Sequence, residues 1–458
     1  MADFDVIVLG GGPGGYLAAE RLGRAGKSVA LIEQASLGGT CLNVGCIPTK
    51  ALLNCAKLLS HAQDSAQFGI QVSQVGYDWG AMQAWKAKTV KTLVAGVTQL
   101  MRRHRVQVVT GHGRMVAPGV VEVDSVTYSA RDVIIATGSA PVRPPIPGAA
   151  NNPLVVDSTA LLNITEVPER LTIVGGGVIG IEFASLFSRL GTTVTIVEML
   201  DEILAFAEPE VASRLRASLK GVTVKLGARV TAIEEATVVI EMGGTIERVE
   251  ADLVLMAIGR RPLVDGWGAD EIDLAYTSAG VTVDDQMRTN LAGVWAVGDV
   301  TGRSLLAHGA YRMGEVAASA ILDGGSASRG PVMRWDTIPW ALYGAPEAAG
   351  VGLTQAEGEA RGLAVQTVTV PLAVSGRFVA EEGLSRAGVV KVVADRDSRL
   401  ILGVQLLGPY APEMIWGAAA VLEMELTIDE VRQLVFPHPT ISEGIREACW
   451  AFPDQERV

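Results

Sequence analysis

The sequence is poor in cysteine, histidine and basic charge, and each shortage excludes a class of protein. It contains four cysteines and five histidines in 458 residues, too few for a disulfide framework in a chain of this length. The formal net charge of -12 argues against binding to nucleic acid or to anionic membrane surfaces, which requires clustered Lys and Arg. The sequence also lacks any uninterrupted run of about 18 apolar residues that could span a bilayer.

Glycine and aliphatic residues are abundant instead. Hydrophobic residues make up 49% of the chain and 52 residues are glycine, which is typical of parallel α/β proteins whose central strands are covered on both faces. The length corresponds to roughly three domains of about 150 residues. Residues 5–9 form the first predicted strand with no basic or apolar leader ahead of them, so we expect a cytoplasmic protein.

A glycine-rich motif follows this first strand and opens a helix. In its Gly-x-Gly-x-x-Gly pattern, Gly10 allows a tight turn, Gly12 lets the backbone approach a pyrophosphate, and Gly15 lets the helix pack closely on the strand. The next strand ends in Glu33, whose carboxylate can bind the ribose hydroxyls of an adenosine. A single motif of this kind is weak, because ordinary turns also match it.

The same pattern recurs in the middle of the chain. Its glycines are Gly175, Gly177 and Gly180, and its second strand ends in Glu198. The separation along the chain between the first glycine and the acid is the same in both motifs, which makes coincidence a poor explanation. The sequence therefore predicts two bound dinucleotides, one for each unit.

The residues after the second acid indicate which nicotinamide nucleotide is used. Glu198 is followed by Met199 and Leu200 rather than by arginine, which favours a free 2′-hydroxyl over a 2′-phosphate and hence NAD over NADP. The alternative is that Glu198 is only a solvated strand end.

A pair of cysteines, Cys41 and Cys46, lies shortly after the first unit. The spacing is about one helical turn or a little more, which permits a disulfide if a helix begins there, and a thiolate at that helix N-terminus would have a lowered pKa. The spacing also fits a metal site, but zinc would need two further ligands and the histidines offer no suitable cluster, so no metal is expected. Cys55 and Cys449 are predicted to be small core residues.

The segment 38–50, which contains both cysteines, resembles the active-site motif of the pyridine nucleotide-disulfide oxidoreductases, and the resemblance extends over essentially the whole chain. It implies a redox-active disulfide in which Cys46 is the thiolate that faces the flavin of FAD and Cys41 is the interchange thiol that meets the substrate. It also implies that Lys50 and Glu182 lie near the flavin N5 and the nicotinamide.

Other motifs of the same family occur in order along the chain. They add Gly259 to the residues expected at the NAD site. They also imply that Asp299 holds the ribitol of FAD and that a backbone N–H near His308 approaches the flavin, with no role for that histidine as a base. The further positions that the resemblance assigns to FAD are Thr40, Gly113, Thr137, Gly138, Leu306 and Ala307.

The C-terminal segment 436–443 resembles the family's His-Pro-Thr-x-Ser-Glu motif. A dithiol substrate needs a base because thiolate, rather than thiol, attacks a disulfide. His438 is the candidate base, with Glu443 holding its second ring nitrogen. The resemblance implies that His438 reaches the disulfide of the other subunit, so that a homodimer is required for activity.

The expected fold is α/β, with two Rossmann-like dinucleotide-binding domains for FAD and NAD and a C-terminal α+β dimerisation domain. Within that last domain, 389–393 and 400–404 are predicted antiparallel strands and 412–426 is a predicted helix. The predicted divisions are an FAD-binding domain with the redox disulfide (1–145), an NAD-binding domain (146–265), a return segment that completes the FAD domain (266–334) and the dimerisation domain (335–458).

Within the family, the motifs are most similar to those of enzymes that oxidise dihydrolipoamide with NAD⁺. The expected partner is a lipoyl-bearing protein of a 2-oxoacid dehydrogenase or glycine cleavage complex. One alternative is an NAD(P)H-dependent reductase of glutathione-like disulfides, and another is a flavin-binding subunit or redox sensor without catalytic function. Residues 343–347 and 375–378 depart from the usual pattern, which leaves the thiol substrate open.

Overall fold

The computed structural model of the chain describes residues 2–324, 330–384 and 386–454. Residues 325–329, in the predicted return segment, lie outside the described residues. The same is true of residue 1 and of residues 385 and 455–458, the last five of which belong to the predicted C-terminal domain.

The N-terminal part of the chain builds the first Rossmann-like unit. Its core strand is hydrophobic and fully covered, with Val6, Ile7 and Val8 all 0% exposed. Its strands are β1 (Phe4–Leu9), β2 (Val29–Glu33), β3 (Gln107–Thr110), β4 (Gly113–Ala117), β5 (Val120–Val123), β6 (Val126–Ile135) and β7 (Ser139–Pro141). Its helices are α1 (Pro13–Arg24), α2 (Gly39–Val44), α3 (Cys46–Gln63) and α4 (Trp79–Arg103). The parallel strands lie in the order β3-β2-β1-β6, and β4 and β5 continue from β6 as an antiparallel extension.

The middle of the chain repeats this architecture. Its elements are β8 (Val155–Val156), α5 (Ser158–Leu161), β9 (Arg170–Val174), α6 (Val178–Arg189), β10 (Thr193–Val197), α7 (Pro209–Ser218), β11 (Val222–Lys225), β12 (Ala228–Glu234), β13 (Thr237–Met242), β14 (Thr245–Glu250) and β15 (Leu253–Met256). The parallel sheet has the order β11-β10-β9-β15-β8, and β12, β13 and β14 form a separate antiparallel sheet.

The chain then returns to the first unit. The returning elements are β16 (Arg260–Pro262), β17 (Tyr276–Thr277), β18 (Gly280–Val281), β19 (Val294–Ala296) and α8 (Ala307–Leu322). Strand β19 pairs in parallel with β6. Helix α8 packs closely against α1. The two backbones approach so closely that a Cβ on Gly314 would lie only 2.6 Å from the carbonyl oxygen of Gly14. The returning segment therefore adds a strand and a helix to the first unit.

The C-terminal part is an antiparallel sheet covered by helices. Its elements are β20 (Trp340–Leu342), β21 (Ala348–Gly352), α9 (Gln355–Ala360), β22 (Val365–Pro371), α10 (Gly376–Glu382), β23 (Val389–Asp395), β24 (Ile401–Leu407), α11 (Ala411–Glu423), α12 (Ile428–Gln433) and α13 (Glu443–Trp450). The strand order is β20-β21-β24-β23-β22. We call residues 340–450 the interface domain. The predicted fold class is confirmed.

Helix α11 ends earlier than the sequence predicted. The prediction extended the helix to residue 426, whereas it ends at Glu423. Glu425 has a φ of 54°, and the turn that follows lets the carbonyl of Leu426 accept the N–H of Ile401 at 3.2 Å. This pairing with the neighbouring strand is a long-range contact that helical periodicity does not reveal.

Among the described residues, no helix combines the length and the apolar character needed to cross a membrane.

Candidate active site

A single cavity of about 1790 Å³ runs between the two Rossmann-like units and along the edge of the interface domain. Every residue that the sequence predicted to bind FAD or NAD lines this cavity except Gly15 and Gly180, and both Cys41 and Cys46 line it as well. The structure therefore brings two distant motifs and the cysteine pair into one continuous space. A cavity of this kind at the carboxyl ends of parallel strands is where open α/β sheets bind ligands.

Each strand-terminal acid accepts a hydrogen bond from the glycine-rich turn of its own unit. Glu33 accepts the backbone N–H of Gly11 at 2.8 Å, and Glu198 accepts that of Gly176 at 2.6 Å. In both units the second carboxylate oxygen accepts the N–H of the residue two positions further on, at 2.8 Å. Each carboxylate thus joins the end of one strand to the turn after the neighbouring strand. The repeated motif in the sequence corresponds to a repeated geometry.

The third glycine of each motif is required by packing. A Cβ on Gly15 would lie 2.0 Å from the carbonyl oxygen of Gly10, and a Cβ on Gly180 would lie 2.1 Å from that of Gly175. These contacts are far inside van der Waals distance, so any side chain would push the helix away from the turn. These two glycines support the site without lining it.

The middle glycine of each motif shows the opposite pattern. A Cβ on Gly12 would meet only Gly39 Cα, at 3.9 Å, and a Cβ on Gly177 would meet nothing within 4 Å. Both residues sit at a helix N-terminus and face the cavity. Since the fold does not need glycine at either position, the open space fits a pyrophosphate that approaches the helix N–H groups. The residues therefore fit FAD in the first unit and NAD in the second.

The two cysteines lie at the junction of two helices. Cys41 belongs to α2, and Cys46 is the first residue of α3. All four cysteines are free thiols in this structure. The hydrogen bond from Cys41, aided by the positive charge of Lys50, lowers the pKa of Cys46 despite burial, and the same hydrogen bond together with burial raises the pKa of Cys41. Cys46 is therefore the more acidic thiol of the reduced pair, and the negative charge that forms on deprotonation lies on Cys46.

Lys50 lies one turn further along α3 and is paired with Glu182 of α6. The Lys50 Nζ donates to both carboxylate oxygens, at 3.0 and 2.9 Å, and lies 4.7 Å from the centre of the Tyr343 ring. Burial acts to lower the pKa of Lys50, but the Glu182 carboxylate outweighs it and the pKa is raised. The backbone N–H of Tyr343 also donates to Glu182, at 3.0 Å. All three parts of the chain thus meet beside Cys46.

Asp299 also lines the cavity. Its carboxylate accepts the hydroxyl of Ser139 at 2.5 Å, and Arg260 donates to that hydroxyl at 2.8 Å. Burial raises the pKa of Asp299, partly offset by the Ser139 hydrogen bond and by Arg260. Helix α8 begins at Ala307, which also lines the cavity. The unpaired backbone N–H groups of the first turn of α8 are therefore available at the cavity wall. The arrangement offers a carboxylate acceptor and helix N–H donors to a polar ligand.

His438 and Glu443 form their own group on the surface. The ring Nδ1 of His438 lies 2.9 Å from a Glu443 carboxylate oxygen, and the other oxygen accepts the N–H of Thr440 at 2.9 Å. The Thr440 N–H and then His438 lower the pKa of Glu443. The His438 side chain is 76% exposed. Neither residue is among the described residues that line the cavity of the same chain.

Sequence reasoning missed several residues that build the site. Ser139 and Arg260 each follow directly after a predicted glycine, so their proximity to the site could have been anticipated, but their shared contact with Asp299 could not. Tyr343 belongs to the segment 343–347, which departs from the usual pattern of the family and carries no motif that assigns it a role. Cys449 is buried as predicted, whereas Cys55 is only partly buried.

Two protein-family models match the chain. The model described as pyridine nucleotide-disulphide oxidoreductase matches residues 4–314, and the model of the dimerisation domain of the same family matches residues 338–449. Among curated relatives, the dihydrolipoyl dehydrogenase of Thermus scotoductus is 38% identical, covering 99% of this chain and 98% of the relative. That of Geobacillus stearothermophilus is 37% identical, covering 97% and 95%.

The chain is also similar to solved structures over nearly its whole length. The chain superposes on LpdA from Mycobacterium tuberculosis with a TM-score of 0.88 at 27% identity, covering 97% of this chain and 98% of that one. It superposes on the HOCl-induced flavoprotein disulfide reductase RclA from Escherichia coli with a TM-score of 0.85 at 28% identity, covering 98% and 100%. Since the matches span the two nucleotide-binding units and the interface domain, the chain belongs to the pyridine nucleotide-disulphide oxidoreductase family.

Proposed function

We propose that the chain is a dihydrolipoyl dehydrogenase, which oxidises a dihydrolipoyl dithiol with NAD⁺ by way of FAD and the Cys41–Cys46 pair. The observation that carries this proposal is the position of the two cysteines, which line the cavity between the FAD and NAD units beside the Lys50–Glu182 pair. Full-length similarity to curated dihydrolipoyl dehydrogenases supports the same reaction.

The chemistry of this chain's residues begins from the oxidised Cys41–Cys46 disulfide. One substrate thiol loses its proton to His438, and its sulfur attacks Cys41, which forms a mixed disulfide and releases Cys46 as a thiolate. The second substrate thiol then displaces Cys41 and passes its own proton to the departing Cys41 sulfur, and the oxidised substrate leaves. Lys50 stabilises the Cys46 thiolate. FAD, when bound, carries the electron pair from the dithiol to the nicotinamide.

The base is proposed to come from the second subunit. His438 lies outside the cavity of its own chain and is exposed, and the family match includes a dimerisation domain. A homodimer in which His438 of the partner subunit approaches Cys41 would complete each site. The physiological partner is proposed to be the lipoyl-bearing protein of a 2-oxoacid dehydrogenase or glycine cleavage complex, and a cytoplasmic location stays a prediction of the sequence.

The test is a spectrophotometric assay of the purified, FAD-loaded protein. We expect rapid NADH formation from dihydrolipoamide and NAD⁺, loss of that activity in Cys46→Ser, and its retention in Cys55→Ser, the matched control on the same helix. Activity with glutathione disulfide and NADPH alone would contradict the proposed substrate. A yellow protein that shows neither activity would instead favour a flavin-binding subunit or sensor.

A further inference from the structure

The segment that follows the second strand-terminal acid, residues 199–208, contributes one wall of the NAD half of the cavity. Met199, Leu200 and Phe206 all line the cavity and are 63%, 49% and 50% exposed, respectively. Large apolar side chains that face a cavity beside a few fixed polar groups are typical of ligand-binding sites. This wall contains no cysteine, base or glycine of the motifs above.

The end of this segment is anchored in the interface domain rather than in its own unit. Glu208 is 2% exposed, and one of its carboxylate oxygens accepts the Lys391 Nζ at 2.8 Å. The other oxygen accepts the backbone N–H of Gln355 at 2.5 Å, and the Glu208 N–H donates to the Gln405 side chain at 2.8 Å. A buried, fully hydrogen-bonded ion pair of this kind fixes the relative position of the two parts it joins.

A second contact joins the same two parts two residues earlier. The rings of Phe206 and Trp340 meet edge to face, with centroids 5.2 Å apart and planes at 87°. Trp340 is itself held in place, because its indole covers Gly350, where a Cβ would lie 2.6 Å from the indole Nε1. One ring thus faces the cavity while the other supports it from the interface domain.

We propose that Phe206 contacts the bound nicotinamide nucleotide and that Trp340 is a positioning residue that holds Phe206 in the binding geometry. The interface domain then sets the affinity of the NAD half of the cavity, because a ring that is already fixed loses little conformational freedom on binding. This inference deepens the proposed function and rests on it for the identity of the nucleotide.

The first test measures NAD⁺ binding to the oxidised, FAD-loaded dimer by titration calorimetry, without any thiol substrate. Phe206→Ala should raise the Kd for NAD⁺ by about three- to tenfold, the range expected for one aromatic contact. Phe206→Tyr should keep the Kd within about twofold of the native value because the ring is retained. The KM for dihydrolipoamide should not change in either variant.

The second test asks whether Trp340 acts through Phe206. Trp340→Leu should also raise the Kd for NAD⁺, and the double variant with Phe206→Ala should bind no more weakly than Phe206→Ala alone. The matched control is Tyr128→Leu, which removes the ring contact with Phe4 at 6.4 Å in the first unit and should leave the Kd unchanged.

An unchanged Kd in folded, yellow Phe206→Ala protein would overturn the contact with the nucleotide, and strictly additive effects in the double variant would overturn the positioning role of Trp340. Failure of the proposed function looks different. A native protein that binds NAD⁺ yet does not oxidise dihydrolipoamide contradicts the substrate assignment, whereas the comparison of Kd values among the variants still tests Phe206 and Trp340.

Discussion

Lys50 donates hydrogen bonds to both carboxylate oxygens of Glu182, at 3.0 and 2.9 Å, and so joins the helix that begins at Cys46 to helix α6 of the NAD unit. Glu182 is 3% exposed, and the Tyr343 N–H supplies a further hydrogen bond to it. The positive charge of Lys50 is therefore fixed one helical turn from the reactive thiolate. The position of Lys50 relative to Cys46 is thus held by contacts among the first unit, the NAD unit and the interface domain.

Replacing Lys50 with methionine should raise the pKa of Cys46. The lysine charge stabilises the thiolate, so its removal shifts the thiol–thiolate equilibrium towards the thiol and moves the inflection to higher pH. We expect the alkylation of Cys46 by iodoacetamide at neutral pH to slow by about threefold or more. The measurement follows the Cys46 peptide by mass spectrometry against pH, in a Cys41→Ser background that leaves one reactive thiol of the pair.

The matched control for this prediction is Lys57→Met on the same helix. Lys57 pairs with Glu347 at 3.4 Å and is 43% exposed, so its removal should leave the pH dependence of Cys46 alkylation unchanged. An inflection that moves equally in both variants would mean that the effect arises from net charge or helix stability, and not from the position of Lys50.

Two glycines of the second motif should respond to alanine in opposite ways. Gly177→Ala adds a Cβ to open space, so the free energy of unfolding should not fall, while NAD⁺ binding should weaken by about tenfold or more because the methyl group occupies the pyrophosphate position. Gly180→Ala places a Cβ 2.1 Å from the Gly175 carbonyl oxygen and should lower the free energy of unfolding by about 1–3 kcal/mol. Thermal denaturation and NAD⁺ calorimetry on both variants distinguish the two effects. Equal loss of stability in the two variants would contradict this assignment of roles.

The ionisation of Asp429, near the C-terminal end of the chain, should make the free energy of unfolding depend on pH. Arg399 donates to its two carboxylate oxygens at 2.6 and 2.9 Å, and Arg432 adds a contact at 3.1 Å. The Arg399 hydrogen bonds are the main cause of the lowered pKa of Asp429. A carboxylate whose pKa is lower in the folded state stabilises the fold above its unfolded pKa of about 3.9, and the contribution disappears as the pH falls through the folded value.

Asp429→Asn should therefore be less stable than the native protein at neutral pH, by about 1 kcal/mol because the Asp429 side chain is 48% exposed. The difference should narrow as the pH falls below about 4. Urea unfolding at a series of pH values measures it. Asp454→Asn is the control, since Asp454 also contacts Arg432 but is 88% exposed and should change stability much less. A constant difference across the pH range would exclude the Asp429 carboxylate as its source.

Local patterns in the sequence predicted part of the cavity wall. The turn geometry of Gly10 and Gly175 and the positions of Glu33 and Glu198 follow from short strand–turn–helix segments, in which the neighbours along the chain are also the neighbours in space. The cysteine pair was assigned from a motif of similar length. The glycine-rich turns and the strand-terminal acids line the cavity because, within each unit, the strands that precede them are parallel and end at the same edge of that unit's sheet.

Contacts between segments that are distant along the chain could not be predicted from the sequence. Phe206 and Trp340 meet only because the interface domain packs against the NAD unit, and neither residue belongs to a recognisable motif. Ser375 was singled out as unusual, but its hydroxyl donates to the carbonyl of Thr440 at 2.9 Å, and so ties α10 to the loop that carries His438. Such contacts depend on the packing of whole elements, which periodicity and spacing do not specify.

The assignment of His438 to the partner subunit predicts that two inactive variants can restore activity together. A Cys46→Ser dimer lacks the thiolate in both sites, and a His438→Gln dimer lacks the base in both, which should cost about 10²–10⁴-fold in rate. In a mixed dimer, the site with an intact cysteine pair from one subunit receives an intact histidine from the other.

Subunits of the two variants should be unfolded together, refolded with FAD and assayed for dihydrolipoamide oxidation. Random pairing makes about half of the dimers mixed, each with one complete site, so the mixture should recover about a quarter of the native activity. If His438 instead served the cysteines of its own chain, each mixed dimer would contain one site without the base and one without the thiolate. The mixture would then stay as inactive as its parents, and the exposed His438–Glu443 pair would have to reach the cavity by a rearrangement within one subunit.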